Sequence, residues 1–186
     1  IRLTAQALEY EDHVFVVDSR NLSSGIGLLI LEICRMRDEG LPAPEIMEKA
    51  QEIIPRVRAS FVVDTLVYLA RGGRCSSVAA LLAGTLQLKP KIIVQDGRMT
   101  VGKKYRGSIQ TSLVQYVRDK LAEPDTVDPR RIFITDSGFD EETRLLVERT
   151  ALECVPFREV YHTRAGCTVS SHCGPGTLGV LFIAGE

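Results

Sequence analysis

Apolar positions along the chain follow two different rhythms, and the change comes near residue 60. Before it, residues 13–18 hold the unbroken run Val14, Phe15, Val16 and Val17, the pattern of a strand covered on both faces in a parallel sheet. Helices flank that run. Residues 2–10 read as one, and a second follows with Ser23 or Ser24 as its cap, Leu28, Leu31 and Ile33 turned inward, and Gly40 as its stop. Pro44 then opens a helix striped by Ile46, Ala50, Ile53, Ile54 and Val57, which Pro55 bends or ends.

Beyond residue 60, short strands and hairpins take over. Residues 61–63 predict a strand, 65–70 a short helix stopped by Gly72 and Gly73, and 77–82 a further helical piece. Residues 91–94 and 99–106 flank Asp96-Gly97, a pair that accepts the positive φ angles of a tight hairpin turn. A helix over 109–121, a strand over 131–135, a helix over 141–153 capped by Asp140, and closing strands over 158–162 and 179–183 complete the reading. The fold class is therefore α/β. Residues 1–60 read as the C-terminal part of a parallel-sheet, Rossmann-like domain, and 61–186 as an α+β domain with a mixed or antiparallel sheet.

Composition narrows the function classes. With 45% hydrophobic and 25% charged residues, the 186-residue chain can bury a real core and is not disordered. Its richest apolar stretch, residues 27–34, is too short to span a bilayer, so stable membrane insertion is not expected, and no signal peptide is visible. Five cysteines, at 34, 75, 154, 167 and 173, form an odd set with no CxxC, which favours free thiols and a cytoplasmic location. The chain starts at Ile1 in what reads as mid-helix, so the native start is expected upstream.

Charge is uneven. Residues 71–106 carry eight basic side chains against Asp96 alone, a balance of +7 that leaves −8 for the remainder. Either an anionic ligand or partner sits near this stretch, or acids elsewhere in the fold balance it. Tyr105 is its one aromatic residue, which leaves little to stack on bases and argues against nucleic acid.

Three segments carry candidate chemistry. In the first, Gly72-Gly73-Arg74 permits a tight turn and aims a guanidinium at an anion, although the same residues suit a plain helix cap with a surface arginine. The second runs through residues 82–94, where Leu82, Leu86 and Leu88 beside small residues suit either an apolar channel or a core. In the third, Ser170-Ser171-His172-Cys173 precedes a rigid Gly-Pro-Gly turn and gathers several donors on a short constrained piece. A cysteine- or metal-dependent hydrolase using Cys173 and His172 is the alternative reading of that piece. Its spacing, with His162 and Cys167 included, matches no standard zinc template.

Taken together, these motifs resemble the DegV family of bacterial fatty-acid-binding proteins. Asp64-Thr65-Leu66, Tyr68-Leu69 and Gly72-Gly73-Arg74 are similar to its "DTLxYLxxGGR" signature, Lys89-Pro90 with Asp96-Gly97 to its "KP…DG" hairpin, and Lys104-Tyr105-Arg106-Gly107 to "KxRG". His172 to Gly179 resembles its "HTGPGALG", and Val17-Asp18-Ser19 its "VIDS". The resemblance implies a carrier rather than an enzyme, with no cofactor and one bound long-chain fatty acid such as palmitate. It implies that His172, Ser171 and Arg74 hold the carboxylate at a domain interface and that Leu82, Leu86 and Leu88 line the lipid tunnel. It further implies that Arg74 and Arg106 dock an ATP-dependent fatty acid kinase subunit, which converts the lipid to acyl phosphate. The family's "TDS", "TSQPS" and "SGTYQSA" elements are expected upstream of Ile1, and they carry further Ser and Thr donors. Cys173 and Ser171 stand where the family commonly has threonine, and Gln87-Leu88 where Asn-Ile is commoner.

Overall fold

The computed structural model describes residues 1–73 and 88–185. Its helices are α1 (Arg2–Ala7), α2 (Ser24–Asp38), α3 (Ala43–Ile53), α4 (Val67–Arg71), α5 (Ile109–Lys120), α6 (Glu141–Cys154) and α7 (Cys167–Cys173). Its strands are β1 (Val57–Val62), β2 (Leu88–Gln95), β3 (Arg98–Arg106), β4 (Val127–Asp136), β5 (Glu159–Arg164) and β6 (Leu178–Ala184). The expected helix over 77–82 lies outside the described residues. All six strands join one sheet in the order β3-β2-β1-β6-β4-β5. Only β4 and β5 run parallel, and α6 supplies the crossover between them. The mixed sheet expected for the later part of the chain is thus present.

Strand alternation sorts the core into two layers. On β6, Leu178, Val180 and Phe182 face α5 and α6, while Leu181 and Ile183 face α2. On β1, Val62 joins the first layer, and Val57, Ala59 and Phe61 the second. Tyr116 of α5 pins the first layer from within, because its hydroxyl donates to the Ser60 carbonyl at 2.7 Å and accepts from the Val180 amide at 3.0 Å. Burial pushes that phenol up to about 12. On the other side, the Glu32 carboxylate is 1% exposed and ties α2 to β4 through Arg130 at 2.9 Å and Arg131 at 3.0 Å. Arg35, one turn along α2, adds a third contact at 3.1 Å.

Several expectations need correction. Residues 14–19 form neither helix nor strand, and Glu11–His13 is one 3-10 turn. A β-branched run becomes a strand only beside a ladder partner, and among the described residues none lies next to it. The helix expected over 2–10 ends at Ala7. Neither Ser23 nor Ser24 caps α2 with its side chain, since Ser23 sits at φ 51 and the Ser24 hydroxyl is engaged by Thr135 and Thr163. The strand expected to begin at Phe61 starts at Val57, because the 3-10 turn Ile54–Arg56 around Pro55 ends α3 sooner. The hairpin is as expected, with Asp96 at φ 50 and Gly97 at φ 73. The caps of α5 and α6 are also regular, with Ser108 accepting from the Thr111 amide and Asp140 from that of Thr143.

Candidate functional site

A narrow apolar cavity of about 40 Å³ opens on the α2 face of the sheet. Its floor includes Ala59, Phe61 and Leu181, and α7 contributes Val169 and Cys173. Gly179 keeps that floor low, since a Cβ there would stand 2.9 Å from the Ser60 carbonyl oxygen. One end of the cavity lies at the C-terminal end of β4, where Thr135, Asp136 and Ser137 meet Ser23. The Thr135 and Ser137 hydroxyls there are neutral and already engaged. Ser24, Thr135 and Thr163 close a triangle with sides of 2.7, 3.1 and 2.8 Å. Ser137 donates to the Gly174 carbonyl at 2.6 Å and accepts from the Thr177 amide at 3.2 Å, which ties β4 to the turn after α7. The Asp136 carboxylate is already occupied by the amides of Gly138 and Phe139 and by Arg144 of α6 at 3.6 Å.

Motifs distant in sequence meet beside this cavity. A Cβ on Gly72 would stand 2.2 Å from His172 Nδ1, and one on Gly174 2.2 Å from the Tyr68 ring. Gly176 presses on Asp64 in the same way at 2.9 Å, and Asp64 in turn pairs with Lys89 Nζ at 2.5 Å. Only glycine permits approaches this close, so helix α4 and the turn after α7 interlock through missing side chains. Gly174 and Gly176 are also at φ 79 and φ 71, which L side chains rarely adopt.

Each residue named from sequence can now be placed. His172 is half-buried on α7 against Gly72 and makes no hydrogen bond among the described residues. Its neighbour Ser171 is exposed, with its hydroxyl donating back to the Thr168 carbonyl at 2.9 Å, so the structure does not bring it to the cavity. Leu88 and the exposed Arg106 pair across β2 and β3 at the sheet end that also holds Lys89 and Asp64. Arg74, Leu82 and Leu86 lie outside the described residues.

Cys173 lines the cavity, and burial pushes its thiol up to about 11, so at neutral pH it carries its proton and is a poor nucleophile. Being adjacent on one helix, His172 and Cys173 project in different directions and cannot act as a base–nucleophile pair. Among the described residues, no three His, Cys, Asp or Glu side chains are grouped to hold a metal ion. The Thr135–Ser137 hydroxyls escaped the sequence reading. Their signal is position, since ligands of α/β sheets gather at the carboxyl ends of strands.

Comparison with known proteins places these features in context. A family model described as "Uncharacterised protein, DegV family" matches residues 1–185. A DegV domain-containing protein of Caldanaerobacter subterraneus is 33% identical over 176 residues, covering 92% of this chain and 61% of the relative. One from Deinococcus radiodurans is 33% identical over 183 residues, covering 97% of this chain and 63% of the relative. The chain thus spans less than two thirds of the length of these relatives. Among solved structures, a fatty-acid-binding DegV family protein from Thermus thermophilus superposes with a TM-score of 0.81 at 25% identity, over 96% of this chain and 63% of that one. A DegV family protein from Eubacterium eligens, loaded with heptadecanoic acid, gives 0.84 at 20% identity, over 98% and 67%, and shares the fold.

Proposed function

The chain belongs to the DegV family, and from that premise we propose that it carries one long-chain fatty acid in the bacterial cytoplasm and presents the carboxylate to a separate ATP-dependent kinase. The observation that supports this most is the apolar cavity on the α2 face, which lies beside the packed Gly72–His172 pair. Moving about fifteen methylenes out of water contributes on the order of 12 kcal/mol before ordering costs, which is ample for retention.

The carboxylate is the expensive part. Unpaired burial costs it several kcal/mol or neutralises it, so it needs hydrogen-bond donors. His172 has its ring nitrogens free of other hydrogen bonds among the described residues and is the leading donor. Ser171 joins it after rotating away from Thr168, and Arg74 adds positive potential. Leu82, Leu86 and Leu88 extend the apolar lining. Arg106, exposed at the same end of the sheet as Asp64, belongs with Arg74 to the kinase-docking surface.

Two measurements test this reading. His172→Ala should weaken fatty-acid affinity about five- to a hundred-fold by leaving the carboxylate short of a donor, with a smaller effect on thermal stability. A lower melting temperature with unchanged affinity would make His172 a structural residue only. Arg106→Ala should slow kinase-dependent phosphorylation of the bound lipid while leaving lipid retention near normal, because an exposed cation steers association more than it holds ligand. Normal phosphorylation of that variant would remove Arg106 from the docking surface.

A further inference from the structure

The ladder between β1 and β2 runs from Ala59–Val94 to Val62–Lys91, so Val57 and Arg58 pair with β6 alone. Beside this open end lies a notch of about 370 Å³, open to solvent and lined by Arg58, Ile93, Gln95 and Lys120, with Arg20 and Asp96 on its rim. Arg58 and Lys91 stand on the same face of the sheet by the two-residue alternation of their paired strands. Lys120 ends α5 on that face and lays its ammonium over the Phe182 ring at 5.2 Å. Arg58 donates from Nη1 to the Pro55 carbonyl at 2.7 Å, which fixes its guanidinium and leaves its remaining donors for other partners.

Arg58 and Lys120 therefore share the notch, Lys91 stands on the same sheet face, and none of the three has a carboxylate partner among the described residues. Among the described residues, no ion pair involves Arg58, Lys91 or Lys120, whereas Lys89 pairs with Asp64 and Lys103 with Asp119. The acid on the rim, Asp96, lies 3.9 Å from Arg20. Burial and then the charges of Lys91 and Arg58 push the Lys120 ammonium down to about 8, the cost of holding like charges together without a counter-ion. Ala59 and Val94 form a wall shared with the apolar cavity, and the notch sits at the opposite end of β1 from Asp64.

We propose that this notch is a binding site for a small phosphate-bearing anion, gripped by Arg58 and Lys120, with Lys91 on the same sheet face adding positive potential. The guanidinium fork suits two phosphate oxygens, and the Lys120 ammonium acts as a point charge on another. The proposal does not depend on the fatty-acid reading, because the two side chains that would hold the anion, Arg58 and Lys120, do not line the apolar cavity.

Isothermal titration of the full chain with inorganic phosphate and with pyrophosphate, at constant ionic strength, tests it. One-to-one binding is expected. Lys120→Met and Arg58→Gln should each weaken it about ten-fold or more, the effect of losing one charge-assisted contact. Lys49→Met on the distant α3 should leave it unchanged, and circular dichroism should show every variant folded. Tighter binding of pyrophosphate would make the ligand a di- or polyphosphate, and tighter binding of phosphate a monoester; both uphold the site. Absence of binding, equal affinity in all variants, or equal displacement by acetate would each overturn it.

Discussion

Replacing Ala165 with tryptophan is expected to abolish fatty-acid retention while the protein stays folded. Ala165 follows β5 on the cavity wall, half-buried, and its amide donates to the Asp136 carbonyl at 2.8 Å, so the backbone there cannot swing away. An indole at this place would occupy space that an acyl chain held in this cavity needs. Each excluded methylene forfeits about 0.8 kcal/mol, so excluding four costs about 3 kcal/mol, a more than hundred-fold loss of affinity. Stability should change little, because a half-exposed rim position tolerates a larger side chain better than a packed core does. Native mass spectrometry of the purified variant, beside Ala165→Ser as the size control, reads out bound lipid directly. Wild-type lipid occupancy in the tryptophan variant would mean that the chain lies elsewhere.

The largest effect on stability is expected at Glu32, although it touches nothing in the cavity. Its carboxylate joins Arg35 of its own helix to Arg130 and Arg131 of β4 at 1% exposure, so removing it strands positive charge between helix and sheet. Breaking such a pair from one side typically costs about 3 to 5 kcal/mol. The arginines here retain other acids, Asp128 for Arg130 and Glu159 for Arg131, which places Glu32→Ala at about 3 kcal/mol, the lower end of that range. For a chain of this size that is roughly 6 to 12 °C in melting temperature. Chemical denaturation should show the same loss with little change in slope. A loss below about 1 kcal/mol would show that the cluster is decorative, as many ion pairs are.

Helices α5 and α6 and the β2–β3 hairpin were legible in the sequence because their information is local: an apolar stripe, a capping side chain, an Asp-Gly turn. Residues 13–18 misled for the complementary reason. Val14 to Val17 have strand propensity, but strand formation depends on a neighbour that propensity does not encode. Helix α7 was invisible, since Cys167-Thr168-Val169-Ser170-Ser171-His172-Cys173 is built from weak helix formers and its Gly166 cap offers no side-chain acceptor. Of the candidate site, His172 was legible through family resemblance, whereas its contact with Gly72, a hundred positions earlier, follows from tertiary packing. The hydroxyls of Thr135 and Ser137 read as ordinary turn residues until β4 places them at the cavity.

Strand β6 occupies the middle of the sheet, between β1 and β4, although it is the last strand in chain order. During synthesis, β1, β2 and β3 emerge long before it, and so do β4 and β5. Until residues 178–184 leave the ribosome, the facing edges of those two groups have no partner, and each presents an unpaired row of amides and carbonyls. The nascent chain therefore carries two exposed sheet edges beyond those of β3 and β5, the kind of surface that invites chaperones or aggregation. Closure comes as a single late event in which one apolar strand zips both halves together, burying Leu178 to Ala184 along its whole length.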